Sequence, residues 1–154
     1  MDNIIQHGPR AENGVAVSYA EEGAINAAQE LYAINNTYIN ERASSGCFLR
    51  VDGSSASVRV INNLIVGSKT ILTGPGQAVN NLMTGQPGFT DAERFDFRLT
   101  PQAPALGAGI NPGKAGHFKL APMFYYREPL RGEPLPPKDK RFIGACPARA
   151  ECPD

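Results

Sequence analysis

The chain has 154 residues, the length of one domain, with 15 basic and 15 acidic side chains. That balance argues against a nucleic-acid or anionic-membrane binder, which needs a basic excess. The apolar runs are too short to span a membrane as helices, and MDNIIQHGPRAENG lacks the basic-then-apolar pattern of a signal peptide, so none is expected in this chain.

In chain order, DNIIQHG at 2–8 is a weak first copy of a pattern that recurs as YAINNTYIN at 32–40, VINNLIVG at 60–67 and AVNNLMTG at 78–85. Each full copy runs from a short apolar strand into Asn-Asn and on to a second short strand. Asn36, Asn63 and Asn81 are the second asparagines, 27 and then 18 residues apart. Such periods mark stacked repeats that bury their faces only against neighbours. Between the copies lie VAVSY at 15–19, CFLRV at 47–51 and TIL at 70–72, and one helical turn is expected within 21–31.

The pattern therefore predicts three strands per repeat. The first set is 15–19, 47–51 and 70–72. The second is 31–34, 57–61 and 78–79. The third is 37–39, 64–66 and 82–83, with Ile4 and Ile5 as an earlier member. Alternation points Val58 and Val60 inward and Arg59 outward. Leu31, Ala33 and Ala78 share the inward columns, and Ile5, Tyr38, Ile65 and Met83 form another. Asparagine suits the corners because it tolerates left-handed backbone, and stacked carboxamides can satisfy one another along the axis. The alternative is a set of hairpins closed by Asn-Asn turns. Hairpins favour Asn-Gly or Asp-Gly, and no Asn-Asn pair here is followed by glycine.

The chain changes character near residue 90: ten of its 13 prolines follow position 100. Proline is excluded from central strands, so 1–91 is expected to form the repeats and 92–154 an irregular cap. Within it, Leu99 and Leu106 are expected to bury against the final coil and to cover Leu72, Val79 and Met83.

The repeats resemble the last coils of a right-handed parallel β-helix, the pectate-lyase-like architecture. FRLTPQAPALGAG at 97–109 resembles the segment that follows the last coil in bacterial secreted β-helix proteins, with Ala103 where serine is usual. RFIGACP at 141–147 resembles their closing strand, with Phe142 for aspartate and Cys146 for an aromatic residue. The resemblance implies an all-β right-handed parallel β-helix of about three coils with a proline-rich C-terminal cap. It implies an extracytoplasmic, carbohydrate-associated protein of which this chain is the C-terminal part, with upstream coils of the same protein as its neighbours; an unusually short complete β-helix is the alternative. A parent of this kind is a polysaccharide lyase or related glycan-acting enzyme with its catalytic residues upstream, and it allows calcium in a longer parent. The rival reading is a non-catalytic structural or adhesin-type module.

The residues here show no paired aspartates and no acidic run at alternating positions. Arg50 and Asp52 are two apart and so share one strand face; with Lys69 they are candidates for contact with an acidic polysaccharide, or simply a solvated ion pair. His7 and His117 are isolated, so no metal and no cofactor is expected. Cys146 and Cys152 can close a small loop in an oxidising compartment or stay free. Cys47 is expected to be a buried small hydrophobe.

Overall fold

The computed structural model describes residues 1–23, 28–52, 57–127, 131–134 and 142–146. Ten short strands carry the repeats: β1 (Ile4–His7), β2 (Val15–Tyr19), β3 (Glu30–Ile34), β4 (Thr37–Asn40), β5 (Cys47–Val51), β6 (Ser57–Ile61), β7 (Leu64–Val66), β8 (Thr70–Thr73), β9 (Gln77–Val79) and β10 (Leu82–Thr84). They form three sheets, β1-β4-β7-β10, β2-β5-β8 and β3-β6-β9, and every pairing within them is parallel. The chain visits the sheets in rotation, each strand pairing with the one three places on. The result is a parallel coil with three strands per turn. The helical turn expected in 21–31 falls partly on 24–27, outside the described residues, and its last two residues, Glu30 and Leu31, belong to β3.

The register follows the side-chain alternation. Ile5, Tyr38, Ile65 and Met83 lie opposite one another in successive turns, as do Ala33, Val60 and Ala78. Tyr38, Leu49, Val58, Val60 and Ile65 fill one buried cluster. A one-residue slip in any strand would turn its apolar set outward. Burying each large aliphatic side chain stabilises the coil by about 1.5–3 kcal/mol.

The corners are built by the asparagine pairs. The first member of each is left-handed, with φ of 52° at Asn35, 57° at Asn62 and 52° at Asn80. The second member points its carboxamide along the axis. The backbone N–H and Nδ2 of Asn36 both donate to Oδ1 of Asn63, and those of Asn63 donate to Oδ1 of Asn81, all at 2.8–2.9 Å. The row has a fourth member that the sequence pattern only hinted at. Asn3 donates to Asn36 Oδ1 from both nitrogens, and Asp2 before it has φ 57°.

The tail does not lie where it was expected. It lines the flank of the coil. Leu64, Val66 and Leu82 alternate with inward Ile65 and Met83 and so face out. They pack with Leu99, Ala103, Ala105, Leu106, Phe142, Ile143, Ala145 and Cys146. Leu99 is fully buried there and Leu106 half-buried. Ile34 and Ile61 face outward at the next corner and are covered by Leu120. The first asparagines fix this course. Asn80 donates to Ala108 O, Asn62 to Ile110 O and Asn35 to Phe142 O, at 2.8–2.9 Å. The described tail residues do not cover the coil end: Val79 and Met83 are 45% and 46% exposed. Val79 also belongs to the outward column of Ile34 and Ile61, opposite in sense to its inward neighbour Ala78.

Candidate functional site

Arg50 lies on β5, in register with Ser18 and Thr73. Its NH2 meets Glu21 at 2.8 Å and its Nε meets Asp52 at 3.6 Å, and all three side chains are well exposed. The basic charge is thus paired with two carboxylates within its own neighbourhood. Such exposed pairs add little stability, and they leave Arg50 poorly placed to recruit an anion.

Lys69 is on the next turn, as its position suggested, but at the other end of the sheet. Thr73 stands opposite Arg50, and Lys69 comes four residues before Thr73, about 13 Å along the strand. The structure does not bring Arg50 and Lys69 together. Lys69 is exposed and has no acidic partner among the described residues. It edges an open depression of about 450 Å³ lined by Ser44, Ser45, Ser68, Thr84 and the Arg42 stem.

This depression is shaped by backbone at two points. Gly67 has φ 70°, and a Cβ there would run into the carbonyl of Asn40. The Asn40 Nδ2 also donates to Gly67 O at 2.9 Å, tying successive turns at the rim. Arg42 is engaged elsewhere: its Nε and NH2 donate to the carbonyls of Ala11 and Glu12, clamping the loop before β2. Of the two cations lining the depression, Lys69 is the one left available, and the hydroxyls of Ser44, Ser45 and Thr84 supply adaptable hydrogen bonding.

A second depression, about 390 Å³, went unnoticed in the sequence. It is lined by Gln6, Gly8, Glu41, Ala92, Glu93 and Phe95. Phe95 is held at φ 61°, unusual for a bulky residue, with its ring half in solvent. The sequence offers no sign of it, because the left-handed backbone arises from the 3₁₀ turn at Ala92–Arg94 closing on Ala92 O.

Two carboxylates beside this depression are paired with arginine. Asp96 accepts from Arg98 Nε at 2.8 Å and NH2 at 2.6 Å, and this hydrogen bonding holds its carboxyl below the ordinary value. Asp91 lies 3.7 Å from Arg94. His7 Nδ1 shares a hydrogen bond with the Tyr38 hydroxyl at 3.2 Å. Burial raises the Tyr38 pKa, against the opposing pull of the Arg42 charge. Tyr38 is fully buried and His7 half-buried. No three metal-ligating side chains converge among the described residues. Cys47 is free and half-buried rather than buried, and Cys146 is disulfide-bonded; Cys152 lies outside the described residues. No helix among the described residues is long and apolar enough to cross a membrane.

No family model, curated protein or solved structure matches the chain.

Proposed function

We propose that the chain is the C-terminal part of an extracytoplasmic, carbohydrate-associated protein of the right-handed parallel β-helix type. Its own part is to bind an acidic glycan rather than to cleave one. The parallel three-sheet coil and its stacked asparagines support the architecture. The right hand follows from the general preference of parallel crossover connections. The disulfide at Cys146 supports an oxidising compartment.

The observation that carries the binding reading is the depression at Lys69, where an ammonium with no acidic partner among the described residues stands among serine and threonine hydroxyls on an open rim. An acidic sugar chain offers a carboxylate to the one and hydroxyls to the others. Binding is favoured over catalysis by the fate of the acids. Asp52, Glu21, Asp91 and Asp96 are each paired with arginine, and Asp2, whose carboxyl burial raises towards neutral pH, does not line the Lys69 depression, whereas a general acid or base needs such a carboxyl at the substrate. The non-catalytic module thus becomes the stronger form of the reading, and any lyase chemistry belongs to upstream coils.

The test is calorimetric titration of the full chain with polygalacturonate oligomers and with neutral dextran oligomers of equal length. The acidic series should bind weakly, in the millimolar range expected of a few contacts, and the neutral series more weakly still. Lys69→Ala should lower the acidic affinity about tenfold, the loss of one charge-assisted contact. Equal binding of both series, or release of unsaturated uronate products by this chain, overturns the reading.

A further inference from the structure

We infer that the last turn of the coil is a docking edge for a second copy of this chain. It does not depend on the glycan reading, although Met83 also lines the Lys69 depression; Gln77 and Val79, which test it, do not. β8, β9 and β10 are each the last strand of their sheet, with one neighbour and one open edge. Two side-chain columns end there uncovered. Tyr38 and Ile65 are fully buried, but Met83 below them is 46% exposed. Ile34 and Ile61 are buried, but Val79 below them is 45% exposed. All three residues of β9 are exposed.

Open edges are normally blunted by charge, by proline within the strand or by a covering segment. None of these is present among the described residues. No charged residue occurs from Thr70 to Thr90, a span that contains all three edge strands. Pro75 and Pro87 sit outside the strands. The tail, the natural cover, is held on the flank by Asn35, Asn62 and Asn80. The earlier turns differ, since Arg50 and Asp52 mark the second sheet and third-sheet strands carry Glu30 and Arg59.

The charge pattern identifies the occupant. An uncharged edge with two apolar ends fits a partner that is likewise uncharged and apolar, and a two-fold rotation presents this edge with its own copy. Two-fold pairs are the commonest assemblies, and a two-fold contact uses up this edge on both copies. A two-fold axis across the coil reverses strand direction, so the contact is antiparallel, which hydrogen bonding permits as readily as the parallel ladder within each copy. Met83 and Val79 would then be buried between copies, continuing columns that are dry in the turns above.

Sedimentation equilibrium of the full chain over a wide concentration range should show a monomer–dimer equilibrium and no larger species. Val79→Lys and Gln77→Lys alter side chains that are already exposed, so the fold, checked by circular dichroism, should persist. Each should weaken the dimer at least about tenfold through like-charge juxtaposition. Mixing Val79→Lys with Val79→Glu chains should restore it as a heterodimer. A monomer at every concentration, open-ended polymers, or a dimer indifferent to both lysine variants overturns the proposal.

Discussion

Asn63 offers a single carboxamide oxygen to two donors of Asn36, the backbone N–H at 2.8 Å and Nδ2 at 2.9 Å. Its own Nδ2 reaches Asn81 Oδ1 and the carbonyl of Ala33, each at 2.8 Å, so one fully buried side chain joins three turns. The linkage is stringent because each nitrogen would otherwise be buried and unpaired.

Asn63→Ala should therefore cost about 2–6 kcal/mol, since it strands two donors of Asn36 in the interior at about 1–3 kcal/mol each. Asn81→Ala, at the half-exposed end of the row, should cost less. Urea denaturation of the two variants checks the order, and a larger loss at Asn81 would contradict the row as described.

Leu99 is fully buried against Leu64 and the 142–146 segment. Leu99→Ala should cost about 2–5 kcal/mol. Arg59 faces out, with its guanidinium 4.8 Å from the Tyr32 ring centroid and NH2 on Lys114 O. Arg59→Ala should cost about 1 kcal/mol or less. Equal losses by chemical denaturation would mean that the tail is only loosely attached.

Gly67→Ala should destabilise the rim by about 1–3 kcal/mol, because an alanine at φ 70° is strained and its Cβ meets the Asn40 carbonyl. It should also weaken acidic-glycan binding as Lys69 shifts. Calorimetry and denaturation on the same variant separate the two effects.

Asp2 occupies the corner that asparagine holds in the three later turns. Burial raises its carboxyl to about 7, against the opposing charge of the chain's amino group. Its folded value lies above the ordinary 3.8, so between these values the folded state keeps a proton that the unfolded chain releases. The stabilising contribution is full below about pH 4 and is lost as pH rises through 7. Asp96 acts in the opposite sense, since its lowered value makes stability fall in acid. The difference between wild type and Asp2→Asn isolates the first effect. Wild type should lose about 1–4 kcal/mol relative to the variant between pH 4 and pH 8, measured by denaturant titration at each pH. A constant difference would contradict it.

Much of the coil was legible along the chain because its causes are local. Strand alternation has a period of two, so the inward columns of Val58, Val60, Tyr38 and Ile65 could be read directly, and with them the register. Asparagine tolerates left-handed backbone, so the corners at Asn35, Asn62 and Asn80 were fixed in place and spacing. The candidate site was less legible. Arg50 and Lys69 belong to successive turns of one strand set, but their offset along the strands only emerges once the register is known. Phe95 gave no signal, because its backbone is set by a turn rather than by its own preference.

The tail was decided by tertiary structure. Leu64, Ile65 and Val66 are apolar in succession, the mark of a strand buried on both faces, yet nothing local says what covers the second face. The first asparagine of each pair plays two parts, bending the chain and presenting an amide outward, and the second part has meaning only when a carbonyl of residues 108, 110 or 142 arrives. Where a segment packs depends on which surfaces all the other segments leave uncovered, a sum over distant contacts that no window of sequence contains. The alternation and the asparagines determined the coil; the competition for its outer apolar face placed the tail on the flank and left Val79 and Met83 at an open edge.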